Sequence, residues 1–328
     1  MRQRKLALRT EFWPLAEPFT ISRGTKTEAE VLVVEVSENG HTGRGECVPY
    51  AHYGETMKNV REEVASRKQV VEDGMERDAL LYVSSPGAGR NALDAALWDL
   101  EAKLKGSPVW DLAEVPEPKP TLTAQTISIG DVDRMGQSAL DLGLAPLIKV
   151  KLNAYDVVTR MTAVRLAQPK SRLIADANEA WDMDLLLEVA PALADLGVEM
   201  IEQPLPAGED KALAGYESPV LLCADESCHI LDDLEAMAGT YGMINIKLDK
   251  TGGLTEALNL ARAAEANGTK IMVGCMVATS LAMAPAMMLA SFAEFVDLDG
   301  PLLLKDDRED GLIFERGYVH PPKSSLWG

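Results

Sequence analysis

Between residues 147 and 300 a series of short apolar runs each ends on an ionisable residue. The breaks are Lys149-Val150-Lys151, Asp176, Glu202, Asp225, Lys247 and Asp297-Leu298-Asp299, and from Lys151 to Lys247 they fall 25, 26, 23 and 22 residues apart. In an extended chain, side chains two apart leave the same face. Lys149 and Lys151 therefore point together, as do Asp297 and Asp299, and Asn245 and Lys247. Three carboxylates on successive runs offer hard oxygen donors. Such donors suit Mg²⁺, which accepts a few carboxylates and keeps positions for water and substrate. Taken singly, each acid also fits a helix N-cap or first turn, and each lysine a salt-bridged or snorkelling side chain. The regular spacing of all three acids, with no competing His or Cys, favours the cation.

These positions need a scaffold that brings run ends together. Strand candidates fall at 121–129, 146–152, 172–175, 198–201, 220–224, 243–248, 270–273 and 292–296, each followed by a helical stretch. Eight such units predict a (β/α)-type barrel, whose strands are buried on both sides and whose functional groups gather at the strands' C-terminal ends. A doubly wound sheet is the competitor. It loses ground because no GxGxxG or GxxxxGK[ST] follows any run, and Gly252-Gly253 alone is a weak anion signal. Upstream, 30–36 and 42–48 flank Asn39-Gly40 as a hairpin candidate. Leu93, Leu97, Leu100 and Leu104 form one helical stripe. Three prolines in 114–120 mark a boundary. The expected organisation is an N-terminal unit at 1–116, completed by about 301–328, and a barrel at 117–300.

Composition narrows the function. With 51 acidic against 32 basic side chains the net charge is −19, which argues against a nucleic-acid partner. The N-terminus, MRQRKLALRT, has no apolar signal core. The weakly polar stretch at 281–290 contains Pro285 and is too short for a bilayer, so no membrane association is expected. Cys47, Cys223, Cys228 and Cys275 lack metal-ligand spacing and read as free thiols in a reducing cytoplasm. Ser227, Thr279 and Ser280 have no obvious His partner, which disfavours a serine nucleophile. Trp98, Trp110 and Trp181 read as packing residues.

The motifs KVK (149–151), IADANE (174–179), IEQP (201–204), ADES (224–227), NIKLDKTGG (245–253), GCM (274–276) and DLDGP (297–301) resemble, in order, those of the enolase superfamily. Within it the pattern is similar to dipeptide epimerases of the L-Ala-D/L-Glu type. The resemblance implies an α/β fold, with an N-terminal α+β capping domain over a (β/α)7β TIM-type barrel. It implies Mg²⁺ on Asp176, Glu202 and Asp225, and Lys151 and Lys247 as the acid/base pair. Lys149 would lie beside the substrate carboxylate, and Asp297 and Asp299 would hold the dipeptide α-ammonium. Thr126, Cys275 and Met276 would line the substrate. Arg23, in the loop 21–25, would pair a Glu side chain, against the plainer reading of an exposed loop arginine. A role in cell-wall peptide recycling follows from the resemblance alone.

The chemistry constrains the residues independently. An α-proton beside an ionised carboxylate is weakly acidic, because its removal adds a second negative charge to the same group. Cations at that carboxylate meet the developing charge. Superfamily sites of this kind, with Lys or His bases and Mg²⁺ stabilising an ene-diolate, are a known pattern. A nearby cation should also lower the pKa of Lys151. Another superfamily racemase or cycloisomerase, such as an N-acylamino acid racemase or a muconate cycloisomerase-like enzyme, is the alternative. A Schiff-base aldolase using Lys151 or Lys247, and a non-catalytic binding protein, are the readings from other classes. The number of subunits stays open, a homo-oligomer included.

Overall fold

The computed structural model describes residues 4–328. Its N-terminal sheet is built on the predicted hairpin. Gly24–Glu38 pairs antiparallel with His41–Cys47 across Asn39 and Gly40, both left-handed at φ 52° and 82°, the geometry of a tight two-residue turn. A third strand, Lys5–Ile21, was not foreseen. It carries Pro14, Pro18 and several charges that mask alternation, and its pairing with Gly24–Glu38 shifts register between Pro14 and Phe19. The pairing resumes at Phe19↔Lys26, Thr20↔Thr25 and Ile21↔Gly24, so this hairpin extends to a tip at residues 22 and 23.

The helix Ala88–Lys105 lies across this sheet. Leu93, Leu97 and Leu100 are buried, whereas Leu104 has left the core at the helix end. Contact is close because Gly43 and Gly45 face the helix. A Cβ on Gly45 would lie 2.0 Å from the Ala92 carbonyl oxygen, and one on Gly43 2.1 Å from that of Ala96. Backbone cannot yield as a side chain can. Gly45→Ala is therefore expected to destabilise the protein by about 1–3 kcal/mol or more, read as a lower urea midpoint. An unchanged midpoint would contradict this packing. The C-terminus returns to the same helix: Trp327 Nε1 donates to the Ala95 carbonyl at 2.9 Å and Gly328 N to Asp99 at 2.8 Å.

The remainder is an eight-stranded parallel sheet in sequence order: Gln125–Ile127, Leu147–Lys151, Arg172–Asp176, Val198–Glu202, Leu221–Ala224, Met243–Ile246, Lys270–Val273 and Phe295–Val296. It curls until Ala124 N donates to the Val296 carbonyl at 2.8 Å, joining its two ends. Two features differ from expectation. The candidate at 121–129 splits, with Thr121–Leu122 pairing instead to Tyr318–Val319 in a small separate sheet. The connections after the fourth and fifth barrel strands carry only short 3-10 turns, Asp210–Leu213 and Leu231–Met237.

Ala124, Leu147, Ile174, Met200, Cys223, Met243, Met272 and Phe295 form one apolar cluster, the plug of the barrel interior. Two residues further along each strand the same face reads Thr126, Lys149, Asp176, Glu202, Asp225, Asn245, Gly274 and Asp297. Period two thus converts a filled core into a polar floor within one step. A further step along three strands gives Lys151, Lys247 and Asp299.

Candidate active site

The polar floor is an ion-pair lattice. Lys149 Nζ lies 3.0 Å from Asp176 Oδ2, 2.7 Å from Glu202 Oε2 and 2.8 Å from Asp297 Oδ2. Lys151 Nζ donates to Asp176 Oδ2 at 2.5 Å. Lys247 Nζ lies 2.5 Å from Asp225 Oδ2 and 3.9 Å from Glu202 Oε1. Asn245 Nδ2 donates to Glu202 Oε1 at 2.7 Å, and Gly274 leaves the space it needs, since a Cβ there would meet the Asn245 amide at 2.5 Å. Lys250, which the sequence reading did not assign, pairs with Asp225 Oδ1 at 2.8 Å and donates to the carbonyls of Asp225, Cys228 and Asn245.

Charge follows from this packing. Burial opposes ionisation of Asp225, yet Lys247 and Lys250 outweigh it and hold its carboxyl well below the usual range. Asp176 is likewise depressed: burial opposes ionisation, and Lys151 and Lys149 overcome it. Glu202 is pushed up to about 7 by burial and by the Asp176 carboxylate. Burial also disfavours the Lys247 ammonium, but Asp225 and Glu202 raise its pKa above the ordinary lysine value.

Among the described residues, no three His, Cys, Asp or Glu side chains stand close enough as placed to hold one metal ion. As placed, the three carboxylates are engaged by lysines instead. The physical reason is visible: each carboxylate is drawn onto an ammonium group. The donor set nevertheless fits a hard cation. Asp176, Glu202 and Asp225 are fully buried or nearly so, adjacent, and linked into one cluster by Lys149 and Lys247. Glu202 Oε2 and Asp225 Oδ1 sit at ion-pair distance from lysines but accept no hydrogen bond.

Sharp turns follow the carboxylates. Asn178, Glu179 and Gln203 take left-handed φ values of 43°, 65° and 36°. Gln203 then ties neighbouring strand ends: its Oε1 accepts from Asp225 N at 2.8 Å, and its Nε2 donates to Ser227 Oγ at 2.8 Å and Tyr241 Oη at 3.1 Å. These supporting residues carried no spacing signal, because they act through neighbours distant in sequence.

Above the floor lies a cavity of about 520 Å³, lined by both the barrel and the N-terminal sheet. Lys149, Lys151, Asp225, Lys247, Asp297, Asp299, Thr126, Cys275, Met276 and Arg23 all border it, while Asp176 and Glu202 lie beneath. Asp297 Oδ1 is buried without a hydrogen-bond partner. Asp299 Oδ2 accepts from Thr126 N at 2.6 Å, and its carboxyl is pushed up to about 7 by burial and by Asp297. Arg23 keeps an exposed surface but is not idle. Its Nη2 lies 2.7 Å from Glu226 Oε1, its Nη1 2.9 Å from Glu179 Oε2, and both Nε and Nη2 donate to Tyr50 Oη. Lys26, Tyr50, His52 and Tyr53 also line the cavity, and the sequence reading did not find them. They lie outside the repeating pattern, and only folding brings them over the barrel.

Residues 3–113 match the mandelate racemase/muconate lactonizing enzyme N-terminal domain, and residues 135–325 match an enolase C-terminal domain-like family. The chain belongs to the enolase superfamily. Among curated relatives, the L-Ala-D/L-Glu epimerase of Escherichia coli K12 is 48% identical over 94% of this chain and 97% of its own. The N-acetyl-D-glutamate racemase of a Pseudoalteromonas species is 45% identical over 91% and 95%. Among solved structures, an enolase family member from Agrobacterium tumefaciens with bound sodium and L-Ala-L-Glu superposes with a TM-score of 0.97 at 47% identity, covering 99% of this chain and 100% of the other. The dipeptide epimerase of Enterococcus faecalis V583, complexed with Mg and L-Leu-L-Tyr, gives 0.92 at 27% identity over 100% and 99%. This superfamily member therefore shares both its layers, sheet cap and barrel, with these relatives.

Proposed function

We propose that the protein is a Mg²⁺-dependent epimerase of dipeptides of the L-Ala-D/L-Glu type, moving a proton at the α-carbon of the C-terminal residue. The observation that carries this reading is the placement of Lys151 and Lys247. They stand at the ends of the second and sixth of eight barrel strands, half a turn apart, with the carboxylate row between them. Inversion at carbon needs bases on opposite faces of a planar intermediate, and this arrangement supplies them. Asp176, Glu202 and Asp225 would hold the divalent cation, which would supply Lewis-acid stabilisation of the charge developing on the substrate carboxylate. Lys149 adds a second positive charge at the same point. One amine accepts the α-proton, and the other returns a proton from the far side.

Asp297 and Asp299 set the other end of the substrate. Two buried acids, one with an oxygen lacking any partner, favour a cation. A dipeptide ammonium meets that demand, whereas an N-acetyl group leaves it unmet. The related racemase of N-acetyl-D-glutamate makes the comparison worth measuring directly. With Mg²⁺ in D₂O, deuterium entry at the α-carbon is expected at least tenfold faster, as kcat/KM, for L-Ala-L-Glu than for N-acetyl-D-glutamate. The reverse order would overturn the role given to Asp297 and Asp299.

No helix among the described residues is long and apolar enough to cross a membrane. The cysteines are free, three of them buried, which supports a reducing compartment such as the cytoplasm.

A further inference from the structure

Arg23 and Lys26 are the cations that the N-terminal hairpin brings to the cavity, and their surroundings differ. Arg23, at the hairpin tip, is engaged by the Glu226 and Glu179 carboxylates and also donates to the Asn178 carbonyl at 3.2 Å. His52 shares Glu179 at 2.7 Å, and Ser22 Oγ donates to the Asn178 carbonyl at 2.9 Å. These contacts join the hairpin tip to the loops after the third and fifth barrel strands. An incoming carboxylate at Arg23 would meet two like charges already in place.

Lys26 has no carboxylate within ion-pair distance among the described residues. The register Phe19↔Lys26 and Ile21↔Gly24 puts these four residues on one face of the hairpin, and all four line the cavity. Among these four residues Lys26 is the single charge. Its Nζ sits 5.2 Å from the centre of the Tyr50 ring, whose hydroxyl accepts from Arg23. Lys26 keeps an exposed surface, while desolvation lowers its pKa below the ordinary lysine value.

We infer that Lys26 is a specificity-determining residue that pairs with the side-chain carboxylate of an acidic C-terminal residue, while Arg23 is a positioning residue that latches the hairpin onto the barrel loops. This rests on the dipeptide reading above and names the group that selects within it.

The test compares kcat/KM for L-Ala-L-Glu with that for the neutral isostere L-Ala-L-Gln in wild type, Lys26→Met, Lys26→Arg and Arg23→Met. Because each ratio is taken within one protein, a smaller folded fraction cancels. The Glu-to-Gln ratio is expected to fall tenfold or more in Lys26→Met and to return to within threefold of wild type in Lys26→Arg. Arg23→Met is expected to slow both substrates while keeping the ratio within threefold. A smaller fall in Lys26→Met, or a fall confined to Arg23→Met, would overturn the assignment. If wild type acts on neither dipeptide, it is the proposed function that fails.

Discussion

Replacing Lys247 with alanine is expected to abolish inversion of L-Ala-L-Glu while leaving exchange of the α-proton of one diastereomer with solvent. Lys151→Ala should show the complementary pattern, with exchange surviving only in the other diastereomer. The magnitude follows from what a positioned acid or base contributes, about 10²–10⁴-fold, so epimerisation should drop by about a thousandfold in each variant. The asymmetry follows from the barrel. Lys151 reaches Asp176 at one end of the carboxylate row, and Lys247 reaches Asp225 at the other. Each therefore addresses one face of the substrate carbon, and removing one leaves the other able to take and return a proton on its own side. Proton NMR in D₂O, started separately from L-Ala-L-Glu and L-Ala-D-Glu, reads both quantities. If both variants exchanged the same diastereomer, the amines would share a face and the two-base reading would fall.

Removal of divalent cation should have an effect of similar size. Proton loss beside an ionised carboxylate concentrates two negative charges on one group, and Lys149 alone offers one compensating charge. Treatment with a chelator is expected to reduce turnover to about 1% or less, with recovery on adding Mg²⁺, since electrostatic stabilisation of this kind is worth about 10²–10³-fold per donor or more. Asp225→Asn should weaken Mg²⁺ binding in calorimetry and raise the Mg²⁺ concentration needed for half-activity. Full turnover in chelator would remove the metal from the mechanism. Unchanged Mg²⁺ affinity in Asp225→Asn would move its site away from these carboxylates.

The barrel was legible in the sequence for a local reason. Period two and the 22–26-residue repeat are properties of neighbouring residues, so they place Lys149, Lys151, Asp176, Glu202, Asp225, Lys247, Asp297 and Asp299 at strand ends without knowledge of the fold. The strand candidates matched the observed strands to within a few residues, except at 121–129, where a competing partner captured the first two residues of the run. The long N-terminal strand was hidden because its stability comes from pairing with 24–38 rather than from its own pattern.

By itself, then, the sequence determined which side chains face the barrel interior and in what order, because a strand's alternation is written in consecutive residues. Only the tertiary structure decided what those side chains touch. Arg23 and Glu226 are 203 positions apart and meet through a cap lying over a barrel. Lys149 gathers three acids from the ends of three different strands. Lys26 reaches the cavity's edge because the hairpin register sets it beside Phe19. Contacts of that separation depend on how whole elements pack, and no local periodicity encodes them.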